Sequence, residues 1–125
     1  MSYLVTSEKR PGYLLIRCAG VTKNLDDMRA LAQKVYEEFI KDRHAKVLLL
    51  NTEVAFPTST IDYYELVNFY TEELPEEIRR LKLASIVRSE DIEMIKFWET
   101  VCVNRGFNYH GFTSEAEGTK WLMEE

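Results

Sequence analysis

Near the middle of the chain stands Lys46-Val-Leu-Leu-Leu-Asn51, a short apolar run with no polar alternation. A strand with one face in water alternates apolar and polar residues, whereas a strand covered on both faces, as in parallel sheets, does not. This segment therefore predicts a central strand with other structure packed above and below it. Leu83-Ala-Ser-Ile-Val87 has the same character and is the next buried strand candidate. Around these runs the apolar spacing changes to three and four: Leu25, Met28, Leu31, Val35 and Phe39 mark a first helix running to about Arg43, and Ile61, Tyr64, Val67, Tyr70 and Leu74 mark a second. Ile92, Ile95, Trp98, Val101 and Cys102 form the stripe of a third, which Gly106 stops, and Ala116, Trp121 and Leu122 belong to a last one.

The helix starts carry capping chemistry. Asn24 offers a side-chain oxygen to the first helix, with Asp26 and Asp27 in its positive first turn, and Ser89 is the expected cap of the third. Ser114-Glu-Ala-Glu117 reads as a capping box, and Ser59 with Asp62 resembles one. Pro75 with Glu76 and Glu77 suits a fresh helical turn. Tyr3 to Thr6 and Tyr13 to Ala19, joined by the polar turn Ser7 to Gly12, read as an N-terminal β-hairpin, Thr52 to Pro57 as loop, and Asn108 to Phe112 as a final short strand. Alternating helices and strands imply crossovers between parallel neighbours. The expectation is an α/β fold: a mixed sheet of about five strands with about four helices. With 125 residues, 46% of them apolar, the chain suffices for one core, so residues 1–125 are expected to form a single domain.

Composition narrows the function by exclusion. Sixteen Lys plus Arg against 21 Asp plus Glu give a net charge of −5, which argues against an electrostatic nucleic-acid footprint. No uninterrupted apolar run exceeds four residues, far from the ~20 needed to cross a bilayer, and Met1 is not followed by a basic-then-apolar signal; a cytoplasmic location is expected. Cys18 and Cys102 lack CxxC spacing, and His44 and His110 have no Ser or Cys nucleophile at a spacing that predicts a triad. The paired carboxylates Asp26-Asp27, Glu37-Glu38, Glu72-Glu73 and Glu76-Glu77 splay apart on a helix instead of converging. No catalytic group, metal site or cofactor is expected.

The segment Phe97-Trp-Glu-Thr-Val-Cys-Val-Asn-Arg-Gly106, followed by Phe112-Thr-Ser-Glu-Ala-Glu117 and Trp121-Leu122, resembles the C-terminal half of uncharacterised bacterial SpoIIAA-like domains, which have the STAS fold of sulfate transporters and anti-sigma-factor antagonists. The resemblance extends loosely through Leu48 to Tyr64. It implies a small regulatory or binding module, used for protein contacts, for small anionic or apolar ligands, or at membranes, without catalysis. STAS antagonists carry an Asp-Ser-Ser-Gly-like signature after the central strand, with a phosphorylated serine at the following helix start. Thr58, Ser59 and Thr60 occupy that region here, without the acidic residue or the glycine. A phosphate or other anion at Ser59 would meet unsatisfied helix N–H groups, although three consecutive hydroxyl side chains before an apolar stripe are more often the pattern of plain helix capping.

Glu99, Asn104 and Arg105 are the best-defined part of the resemblance and are candidates either for structural anchoring or for ligand contact. Tyr63, Tyr64, Phe69 and Tyr70 are too many for one helical stripe. Tyr63 and Phe69 are thus candidates for a groove, a homodimer contact or packing under the preceding loop. Two functions remain. One is a binding or regulatory module that contacts an unknown protein partner through the loop Phe56 to Thr60 and the helix after it; it predicts an exposed patch and no deep cavity. The alternative follows from the family's looser similarity to lipid-transfer domains: a carrier of a small apolar or lipid-like ligand in an enclosed pocket under the helix Ile61 to Leu74. In open α/β sheets ligands gather at the carboxyl ends of the strands, where Asn51 to Thr60 and Arg88 to Ser89 should emerge.

Overall fold

One sheet holds all five described strands in the order of the chain, and every helix lies on one of its two faces. The computed structural model describes residues 3–56 and 63–124. β1 (Leu4–Arg10) and β2 (Tyr13–Val21) form an antiparallel hairpin whose turn places Gly12 at φ +88°, where a side chain would be strained. β3 (Lys46–Ala55), β4 (Lys82–Ile86) and β5 (Asn108–Phe112) follow in parallel, each reached by a crossover. α1 (Leu25–Phe39), α2 (Tyr63–Glu72) and α3 (Ile92–Asn104) serve one face, and α4 (Glu115–Met123) serves the other. The mixed five-stranded α/β architecture expected from the sequence is the one observed.

The caps of α1 and α4 are side-chain bonds: Asp27 donates its backbone N–H to Asn24 Oδ1 at 2.9 Å, and Glu117 to Ser114 Oγ at 3.2 Å. α3 closes on Gly106 at φ +89°, with Gly106 N–H to Val103 O and Phe107 N–H to Cys102 O, the Schellman pattern with Phe107 turned into the core.

Several boundaries differ from the sequence reading. Ser7 to Arg10 continue β1, pairing with Ile16 to Tyr13, so the hairpin turn is Pro11 and Gly12 alone. Thr52 to Ala55 continue β3 instead of looping: past a register irregularity between Arg17 and Ala19, residues Ala19, Gly20 and Val21 pair with Glu53, Val54 and Ala55, and Thr22 bonds Ala55 O through both its N–H and its hydroxyl. Thr52 and Glu53 are polar because both are exposed, although they belong to a paired strand. α1 stops at Phe39, its last buried stripe residue, and Lys41 and Asp42 fold back in tighter three-residue turns. Ser89 does not cap α3. It begins a short 3-10 turn, Ser89–Asp91, held by the ion pair of Arg88 with Asp91 at 3.1 Å. A second 3-10 turn, Glu76–Arg80, follows Pro75 and leads into β4.

Candidate apolar binding site

Side chains at every second position of a strand share a face. Val47, Leu49 and Asn51 of β3 therefore point to the same side as Ile16 of β2, Leu83 and Ser85 of β4, and Tyr109 of β5. α1 packs over β1 and β2, and α3 over β5, so the two helices cover the sheet's flanks. α2 has its neighbours in α1, α3 and the turn after it rather than in the sheet, and it bridges the flanking helices as a roof. Beneath it lies a cavity of about 110 Å³, walled by α1 (Leu31, Ala32, Val35), α2 (Leu66, Tyr70) and α3 (Met94, Ile95, Trp98), with β3 and β4 as floor. The lining is overwhelmingly apolar. Volumes of this order suit a ring or short chain: an engineered apolar cavity of about 150 Å³ stays dry and takes up benzene.

Asn51, Tyr70 and Tyr109 are among the polar side chains that line this space. Asn51 Nδ2 donates to Ser85 Oγ at 3.0 Å, and Ser85 is fully buried behind it, on the same face of the sheet as Tyr109. Burial pushes the Tyr109 and Tyr70 phenols well above the ordinary tyrosine range, so both remain neutral donors at physiological pH. Burial likewise pushes the Cys18 thiol up to about 12 and raises that of Cys102, which leaves neither as a thiolate nucleophile. Such a cavity can hold an apolar molecule and offer it a few oriented hydrogen bonds. Among the described residues, no group of three or more His, Cys, Asp or Glu side chains could hold a metal ion, and no helix is long and apolar enough to cross a membrane.

Most sequence-predicted site residues stand elsewhere. Glu99 accepts the N–H of Gly111 at 2.8 Å, meets His110 Nδ1 at 3.2 Å through its other oxygen, and pairs with Lys96 at 3.3 Å. Gly111 lies on the edge strand β5, so the carboxylate occupies a main-chain donor that another strand could otherwise take. α3 approaches so closely here that a Cβ on Gly111 would stand 2.2 Å from Ile95 Cγ2. Arg105 reaches a different element, donating from Nη1 to Asn68 Oδ1 of α2, and Asn104 is exposed. The three are not brought together at one site. Phe69 is half-buried at the seam of α1 and α2, edge-on to Tyr70 and 5.8 Å from the Arg29 guanidinium, and is not part of the cavity wall. Thr58, Ser59, Thr60 and the side chain of Tyr63 lie outside the described residues.

The sequence matches no protein-family model and no curated protein. Its backbone matches an anti-sigma factor antagonist from Mycobacterium paratuberculosis with a TM-score of 0.62 at 10% identity, over 98% of this chain and 96% of that one. It also matches an uncharacterised protein with a SpoIIAA-like fold from Shewanella loihica, with a TM-score of 0.51 at 15% identity, over 96% of this chain and 93% of that one. The fold is SpoIIAA-like. On this SpoIIAA-like, STAS-type frame the cavity is set by residues that sequence reasoning treated as ordinary core. Ser85 inside the apolar run Leu83 to Val87 was the available signal, because a hydroxyl in a doubly covered strand needs a partner.

Proposed function

We propose that this domain is a non-enzymatic binding and regulatory module whose working part is the cavity under α2, which takes up a small apolar ligand. The carrier reading requires a pocket beneath the aromatic helix; the reading by protein contact alone requires none. The cavity of about 110 Å³ between α2 and the sheet is the observation that supports the first. Its polar side chains are neutral hydrogen-bonding groups, suited to orienting a guest rather than transforming it. Native mass spectrometry of protein isolated from its own host should show a retained small molecule. A bare mass, together with no calorimetric response to a compound such as 1-octanol, would remove this reading.

Protein contact is the second reading, and a specific observation favours it. Tyr64 and Phe97 stack edge-on at 6.5 Å while 56% and 48% exposed, beside the start of α2. Exposed aromatic pairs are a compositional mark of interfaces. A partner meeting this pair would touch α2, the roof of the cavity, so occupancy below could be read from above. The solved anti-sigma factor antagonist of the same fold lends this reading weight. Replacing Tyr64 and Phe97 by Ser should weaken partner capture, or self-association by light scattering, and leave ligand uptake intact.

A further inference from the structure

The cavity has a polar neighbour. Tyr70 and Leu74, which line it, also line a second cleft of about 270 Å³ at the C-terminal end of α2, where Glu76, Arg79 and Phe107 form much of the wall. Arg79 belongs to the 3-10 turn Glu76–Arg80, and its guanidinium lies 5.8 Å from the centre of the Phe107 ring. Its Nε is buried without a hydrogen-bond partner. Arg29, Arg43 and Arg88 each reach a carboxylate, whereas Arg79 forms no ion pair among the described residues, and Glu76 in the same cleft stays beyond ion-pair distance. A buried guanidinium N–H with no acceptor is costly, and the acceptor that suits its planar fork is a carboxylate.

We propose that cavity and cleft together accept an anionic amphiphile, a medium-chain or aryl carboxylic acid, with its apolar part under α2 and its carboxylate on Arg79. The inference rests on the cavity reading above and adds the charge of the guest. A single cation with a glutamate in the same wall, on a chain of net charge −5, favours a singly charged headgroup over a doubly charged phosphate.

Calorimetric titration at pH 7.5 with octanoate, 1-octanol and octyl phosphate tests it. Octanoate should bind at least about ten-fold tighter than 1-octanol, in line with a charge-assisted hydrogen bond, and no weaker than octyl phosphate. Arg79→Gln should reduce octanoate to the affinity of 1-octanol without changing the latter, and Arg79→Lys should keep part of the preference. Equal affinities for octanoate and 1-octanol, or a preference that survives Arg79→Gln, would overturn the role of Arg79 while leaving the cavity reading in place. Tighter binding of octyl phosphate would overturn the carboxylate assignment. Binding of none of the three would overturn the cavity reading and this inference with it.

Discussion

The two faces of the sheet are packed by opposite means. On one face α4 lies almost on the strands: Gly118 has no side chain where a Cβ would stand 2.4 Å from Ile86 Cδ1 and 3.3 Å from Phe112, and Leu122 is fully buried. Lys82 fastens the end of that helix by donating to the carbonyls of Trp121 and Glu124, both at 2.6 Å, with its amine 4.6 Å from the Trp121 ring centre. On the other face α2 presents Leu66 and Tyr70 toward the sheet and rests on α1 and α3 instead, and a cavity remains. How closely a helix approaches a sheet depends on the side chains at the contact, and Gly118 lets α4 come close to Ile86 and Phe112. The loosely roofed face is where a guest can enter.

The contrast breaks first if truncation costs the same on both faces. Leu122→Ala should lose about 4 kcal/mol in urea denaturation, because the surroundings of α4 have little freedom to collapse. Leu49→Ala, on the half-buried cavity floor, should lose less than half of that, about 1–2 kcal/mol, since the missing atoms only enlarge a space that exists already. Similar losses for the two would refute the division.

Additions should show the reverse. Gly118→Val forces a branched side chain onto Ile86 and Phe112 and should cost about 2 kcal/mol by the same measurement. Ala32→Leu, which extends a side chain of α1 into the cavity, should be neutral or stabilising by up to about 1 kcal/mol, as cavity-filling changes commonly are. It should also abolish uptake of octanoate and 1-octanol. Strong destabilisation by Ala32→Leu would mean that the space under α2 cannot be filled and is not a site.

The sequence exposed one of these faces more readily than the other. Unbroken apolar runs at Val47 to Leu50 and Leu83 to Val87, side-chain caps at Asn24 and Ser114, and the stop at Gly106 are local signals, and they sufficed for the order of elements and the mixed sheet. The fourfold split of the aromatics in α2 did hint that this helix does more than pack. A cavity, however, is a property of distances between elements, and no residue announces that α2 stands off the sheet. The Glu99 run, the most specific pattern in the chain, resolves into separate contacts, its carboxylate on Gly111 of β5 and Arg105 on Asn68 of α2. Arg79 carried no signal at all, because an arginine after two glutamates in a short turn is ordinary until its Nε is seen without an acceptor.

The smallest expected effect separates the faces by pH. α1 is tied to the edge strand by Glu38, whose carboxylate accepts from Ser7 Oγ at 2.8 Å and pairs with Lys41 at 2.9 Å. The hydrogen bond from Lys41, followed by that from Ser7, holds the Glu38 carboxyl below the usual carboxylate range. A depressed folded-state value means that this contribution is complete above the unfolded value of about 4.3 and is lost as pH falls through the lower folded value. The α4 side is held differently, by Lys82 donating to main-chain carbonyls with no carboxylate in the contact. Lys41 is largely exposed, so the pair is worth no more than about 1 kcal/mol. Glu38→Gln keeps an acceptor for Ser7 but removes the titration. Its urea midpoint should lie slightly below that of the unaltered protein at pH 7, and the gap should narrow as pH falls below the unfolded carboxylate value of about 4.3. A gap that persists unchanged at pH 3 would show that Glu38 acts by shape rather than charge, and that acid loosens both faces alike.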